Sequence, residues 1–476
     1  MRAIAAQAEV PDPYVDGLLG RVKWAEASLT FAFPSDPAFF GTDYRSGEPA
    51  DNFAALTGAE RTSLREALQA FATVSGLTFS ESSGADSGEA TLRVAKTDAT
   101  GAAWTYAPGP SDKSGDVWFS NAGDVLDGAR PGNHAWFTML HELGHAVGLK
   151  HPHEVQGAFP AMPEDRDSIE FSVMSYRSHV GVKGLAYENG DASYPQSLMM
   201  YDIAALQAMY GANFAYSDTD TTYAWNAKTG QLAVDGARAP APVGAKVFLT
   251  IWDGGGNDTY SFASYRKNLK VDLSPGGWTL TAKAQLAALG SGHSARGNIA
   301  NALLHDGDPR SLIENAIGGR GNDRMLGNEA DNALTGGGGN DRLVGKGGVD
   351  TAAYAGKASS YTWIEKANGS WLVTDSRKSG KDGHDKLFDI EVLQFKDGEV
   401  SLVDEAGQAT ERSPARSMVS VSPNASASAD ASHQPRQELW DKLITSNFPG
   451  AIVPLADHAE VMGGLLTFVQ HSDLHL

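Results

Sequence analysis

Three histidines and a glutamate fall within the eleven residues HELGHAVGLKH, as His141, Glu142, His145 and His151. Their types and spacing suit a metal ion. On a helix, residues four apart project from one face a turn apart, so His141 and His145 can grip one cation together. Glu142 is rotated by about 100° from His141, beside that cation but not obliged to ligate it, where it can take a proton from water. Gly148 lets the chain leave the helix through a left-handed residue and return His151 as a third ligand. Three neutral imidazoles leave a position open on zinc, which is the catalytic rather than the structural arrangement. Zinc lowers the pKa of its water to about 7, so a nucleophile is available at neutral pH. One zinc ion is therefore expected. His134 and His153 fit no ligand spacing and are read as ordinary structural histidines.

A second pattern has a nine-residue period. Its turns are GGRGNDRML (318–326), GNEADNALT (327–335), GGGGNDRLV (336–344) and GKGGVDTAA (345–353), with an isolated copy, DGGGNDTYS, at 253–261. The consensus G-G-x-G-x-D-x-U-x builds a parallel β-roll, six residues of loop followed by a short strand. Carbonyl and carboxylate oxygens alone suit Ca²⁺ far better than zinc. The expected calcium residues are Gly319, Gly321, Asp323, Gly336, Gly338 and Asp341, with Asp331 and Asp350 as a second pair and Asp253, Gly255 and Asp258 in the isolated copy. Glycines are expected to supply left-handed loop angles. Sites should join a turn to the turn two further on, pairing Asp323 with Asp341 and Asp331 with Asp350. The turn at 327–335 carries Glu329 and Ala330 in place of loop glycines and is expected to bind more weakly.

These residues need a scaffold. Strands are expected at 29–33, 77–80, 91–95, 102–107 and 116–120. Thr57 and Glu60 form a capping-box pattern ahead of Leu64, Leu68 and Phe71 at helical spacing. A helix over 134–149 carries most of the histidine stretch, and another covers 199–209. The expected fold class is an α+β domain at 21–245, with a mixed twisted sheet and an active-site helix, followed by an all-β parallel β-roll at 246–403. Residues 1–20 read as a poorly ordered extension and candidate propeptide. Residues 404–435, rich in Ser, Ala and Pro, read as a disordered linker, and 436–476 as a C-terminal tail.

Composition narrows the partners. The formal net charge of −20 argues against nucleic acid and anionic membrane. There is no cysteine, which excludes disulfides and thiolate ligands. The first residues lack the apolar core of a secretory signal peptide, and no stretch has the length of a membrane span.

After the third histidine comes FSVMSYRSH (171–179). With the long zinc motif, it resembles the metzincin zinc endopeptidases, and its turn resembles the serralysin subfamily in particular. YDIAALQAMYGANF (201–214), TIWDGGGNDTY (250–260) and ENAIGGRGNDRMLGNEADN (314–332) extend the resemblance over about residues 22–400. It implies that Met174 packs beneath the histidines, and that Tyr176 ligates resting zinc and swings away to stabilise the oxyanion. It implies hydrolysis of internal peptide bonds of protein or peptide substrates, with AAWTYA (102–107) as a candidate substrate-pairing rim. It also implies an extracellular monomer, exported without a signal peptide by a type I ABC exporter that reads the C-terminal tail. The DLHL ending (473–476) departs from the family's apolar terminus at His475. Two alternatives stay open: a processing protease with a narrow surface-protein target, and a calcium-dependent surface-binding protein with an inactive protease domain.

Overall fold

Short runs containing apolar, β-branched and aromatic residues build a five-stranded sheet near the N-terminus, with its central strands buried on both faces. In the computed structural model, which describes residues 3–403 apart from 42, 43, 45, 46, 123 and 124, two short strands come first: β1 (Ile4–Ala6) and β2 (Val22–Trp24). The sheet then uses β3 (Ser28–Ala32), β4 (Thr78–Glu81), β5 (Leu92–Thr97), β6 (Ala103–Thr105) and β7 (Asp116–Ser120), in the order β4-β3-β5-β7-β6. All its neighbours are parallel except β6, which runs antiparallel to β7 and forms an edge. The expected linker (404–435) and tail (436–476) lie outside the described residues.

The helices follow the sequence signals closely. After a four-residue α1 (Pro13–Asp16), α2 (Gly58–Val74) starts at the Thr57–Glu60 capping box, with each side chain bonded to the other's backbone. Leu64, Leu68 and Phe71 face the core and are almost fully buried. The next helix, α3 (His134–Val147), is apolar nearly all round and runs through the interior, and α4 (Met200–Tyr210) packs on the same core. No helix among the described residues is long and apolar enough to cross a membrane.

Residues 3–20 correct an expectation. They are not a loose lead-in. β1 pairs with β2, Asp12 caps α1, and Leu18 and Leu19 are fully buried. Gly20 N–H donates to the Gly148 carbonyl at 2.9 Å, and Lys150 N–H to the Leu18 carbonyl at 2.9 Å. The Lys150 ammonium, itself buried, donates to the carbonyls of Gly17, Glu154 (2.8 Å) and Pro160 (2.9 Å). This segment is thus tied to the loop that carries His151. Its anchors are long-range, so no local periodicity announced it. We expect Leu18→Ala to cost about 2–5 kcal/mol, as for other buried leucines, and removal of residues 1–20 to cost more. Urea midpoints of the two variants against the full chain measure this.

Downstream, strands alternate between two sheets. Those at 315–317, 333–335 and 351–353 lie in one, and those at 324–326 and 342–344 in the other. Neighbours within a sheet are 18 residues apart, as Asn315 against Ala333 and Arg324 against Arg342. Apolar residues at the middle of each strand, Ala316, Met325, Leu334, Leu343 and Ala352, fill the space between the sheets. Two features blur the boundary expected at residue 245. The strand Thr222–Trp225 already belongs to one of these sheets, pairing with Thr259–Ser261. Along 248–252, Phe248 and Trp252 enter the N-terminal core while Leu249 and Ile251 enter the other, so one strand is a shared wall.

Candidate metal centre

Asn133 caps α3 by accepting from the Trp136 N–H at 3.0 Å. Two turns later His141 and His145 project together. At the far end Gly148, at φ 112°, reverses the chain, and the Leu149 N–H donates to the Gly144 carbonyl at 2.9 Å. His151 then returns, with its Nε2 at 3.1 Å from that of His141 and 3.0 Å from that of His145.

The opposite ring nitrogens fix the tautomers. Nδ1 of His141 bonds the Val173 carbonyl at 2.8 Å, Nδ1 of His145 the Leu149 carbonyl at 2.9 Å, and Nδ1 of His151 the Glu154 carboxylate at 2.7 Å. Those oxygens only accept, so the protons sit on Nδ1 and three Nε2 lone pairs point at one another. Burial, and then the neighbouring imidazoles, hold the His141 ring well below its ordinary pKa and that of His145 at about 3. Three inward lone pairs at this spacing fit a cation. Tetrahedral zinc with bonds of about 2.05 Å would set its nitrogens about 3.3 Å apart. Among the described residues, these three histidines form one of two groups able to hold a metal.

Glu142 is buried beside the triad, its Oε2 accepting from the Thr105 hydroxyl of β6 at 2.7 Å. Burial pushes its carboxyl up to about 7, with the Thr105 bond pulling the other way. The Tyr176 ring stacks on His141 (centroids 5.3 Å apart) and lies 4.3 Å from His151, and burial raises its hydroxyl pKa. Met174 is fully buried under α3. A Cβ on Gly144 would meet its sulfur at 2.5 Å, so that glycine makes room for the methionine beneath the histidines.

Two supporting carboxylates escaped the sequence reading. Asp202, in the first turn of α4, accepts from Ser172 Oγ (2.6 Å), Val173 N–H (2.8 Å) and Met199 N–H (2.8 Å). It therefore fixes the turn whose Val173 carbonyl orients His141. Burial pushes it up to about 7 against those three donors. Its one local signal was an acid near a helix start. Glu154 orients His151. Burial pushes its carboxyl up, but the hydrogen bond and fields of the histidines outweigh that and hold it at about 2. His153 stacks on His151 (5.3 Å) with a buried Nδ1 that lacks a partner, and with His151 and Glu154 it forms the second ligand group. His134 packs among Phe137, Tyr187 and Tyr194, where burial lowers its pKa.

The repeat loops stack buried carboxylates. Asp323 N–H donates to Asp341 Oδ1 at 2.7 Å, and Asp341 N–H to Asp385 Oδ1 at 2.8 Å. In the other column Asn332 N–H donates to Asp350 Oδ1 and Asp350 N–H to Glu391 Oε2. Asp331 is thus one residue out of phase: it is exposed and accepts from the Val349 N–H, while Asn332 occupies the position equivalent to Asp323. Gly319, Gly321, Gly336 and Gly338 are not left-handed; those angles fall at Gly337 (φ 92°) and Gly339 (φ 125°). Gly336 instead permits close approach, since a Cβ there would meet Asp341 Oδ2 at 2.2 Å. In the isolated copy, Asp253 accepts from Tyr223 and from the Gly255 N–H, and Asp258 N–H donates to Glu314. The second carboxylate oxygens of Asp258, Asp341 and Asp350 are buried without a hydrogen-bond partner. Asp385, Glu391 and Glu314 lie outside the nonapeptide pattern, so no repeat signal marked them.

The geometry brings together three histidines able to hold a metal over a buried methionine, ahead of a region of stacked carboxylates. Residues 212–422 match the family described as Peptidase M10 serralysin C terminal. The chain is 30% identical over 292 residues to the metalloprotease AprA of Pseudomonas entomophila, covering 59% of this chain and 56% of that protein. It is 32% identical over 307 residues to serralysin A of Dickeya chrysanthemi, covering 63% and 58%, and 29% identical over 327 residues to serralysin G of the same organism, covering 65% and 61%. The chain is thus similar to serralysins, and its residues 212–422 match the C-terminal region of that family. Its match spans somewhat over half the length of these curated relatives.

Proposed function

We propose that this chain is a secreted zinc endopeptidase that hydrolyses internal peptide bonds of protein substrates. The observation that carries this is the inward convergence of three histidine Nε2 atoms beside the buried Glu142. His141, His145 and His151 would hold the ion, with Tyr176 as the fourth, exchangeable ligand. Zinc supplies Lewis acidity, polarising the scissile carbonyl and acidifying water near neutral pH. Glu142 takes the proton from the attacking water and delivers it to the leaving amine. The Tyr176 hydroxyl donates to the carbonyl oxygen as negative charge develops there. An extended peptide would lie along the β6 edge, as strands add to free sheet edges.

The carboxylate columns would hold structural calcium, with Asp253, Asp258, Asp323, Asp341 and Asp350 as the acidic ligands and carbonyls of the glycine turns completing each site. Millimolar calcium outside the cell would order the roll after export by a type I route. The test is digestion of denatured casein by the purified chain in calcium, with and without a zinc-selective chelator. Chelator-sensitive cleavage at many bonds supports a general endopeptidase. Cleavage of few sites in a protein panel favours the narrow-target alternative. A chain that holds zinc and cleaves nothing overturns the enzymatic reading in favour of a binding protein.

A further inference from the structure

Glu142 sits on α3, but the side chain that holds it comes from the sheet. Thr105, on the edge strand β6, donates its hydroxyl to Glu142 Oε2 at 2.7 Å and lies 3.2 Å from the carbonyl oxygen of the same residue. Its neighbours alternate as on any strand. Trp104 points outward and is 49% exposed, whereas Ala103 packs against the core beside Thr105. A glutamate has three rotatable bonds, and a base that must meet one proton donor loses rate when it wanders. The helix fixes the Glu142 backbone, and the Thr105 hydroxyl fixes one oxygen of its carboxylate.

We propose that Thr105 is a positioning residue for Glu142, engaging Oε2 so that Oε1 is the atom that exchanges protons with water and the leaving amine. This rests on the endopeptidase reading. Since β6 is also the sheet edge nearest the centre, the same residue links the substrate-side strand to the base.

Thr105→Val removes the hydroxyl at nearly constant volume, and Thr105→Ser keeps the hydroxyl without the methyl. We expect Thr105→Val to lower kcat on a fluorogenic peptide roughly tenfold. KM and zinc affinity, the latter from chelator competition, should stay within about twofold, and Thr105→Ser should recover most of the rate. Unchanged kcat in Thr105→Val overturns the proposal. So does a Thr105→Ser variant as slow as Thr105→Val, which would assign the effect to packing, or a rise in KM alone, which would assign it to substrate docking. Loss of zinc affinity in step with activity would place the effect at the metal and also overturn it. A wild-type chain that holds zinc but cleaves nothing overturns the endopeptidase reading itself, and this proposal with it; failure of Thr105→Val alone leaves that reading standing.

Discussion

Glu142→Gln is expected to keep one zinc ion per chain and to lose about three orders of magnitude in kcat. The amide has nearly the shape of the carboxyl and can still accept the Thr105 hydrogen bond, so the site should not collapse. It cannot take a proton from water, and loss of a positioned base costs about 10²–10⁴-fold. Glu154 is poorly placed to substitute, because its carboxylate is engaged behind His151. Metal content by mass spectrometry and turnover of a fluorogenic peptide check both halves. A variant with more than a tenth of wild-type turnover would mean that the base is another group.

Calcium removal should have the second large effect, and its size should depend on pH. Burial pushes the carboxyls of Asp341 and Asp350 up to about 7 and Asp385 up to about 8, with neighbouring carboxylates adding to each. A folded-state value raised above the unfolded one, about 3.9 for aspartate, gives stability that is complete below the unfolded value. That stability is lost as pH rises through the folded one. The calcium-free chain should therefore unfold at progressively lower temperature between about pH 4 and 8. Calcium selects the ionised carboxylates and should reverse the loss. At a thousandfold excess over its dissociation constant, each site adds about 4 kcal/mol, so several sites should raise Tm by 10 °C or more at pH 8. Scanning calorimetry with chelator or calcium at pH 5.5 and 8 tests this. A calcium-free midpoint that rises with pH, or one indifferent to calcium, would contradict the binding role assigned to the columns.

Much of the scaffold was legible because its signals are local. The helix expected over 134–149 spans His134–Val147, ended by Gly148, and the strands expected at 91–95 and 116–120 appear at Leu92–Thr97 and Asp116–Ser120. What escaped was held from a distance. Residues 3–20 depend on Gly148 and Lys150, and Thr105 meets Glu142 only because strand and helix pack together. Asp202 acts through a turn some thirty residues earlier. Asp331 carries the charge in a degenerate repeat, but the column position there belongs to Asn332.

The alternation of strands between two sheets has a consequence for how such a chain can change its length. Removing one nonapeptide would send every later strand to the opposite sheet and set each column against the wrong partner. Removing two would lift out one complete coil and leave the 18-residue register of Asn315 with Ala333 and Ala333 with Thr351 undisturbed in kind. Insertions and deletions in this region should therefore survive in whole coils, so that the quantum of change is a pair of repeats.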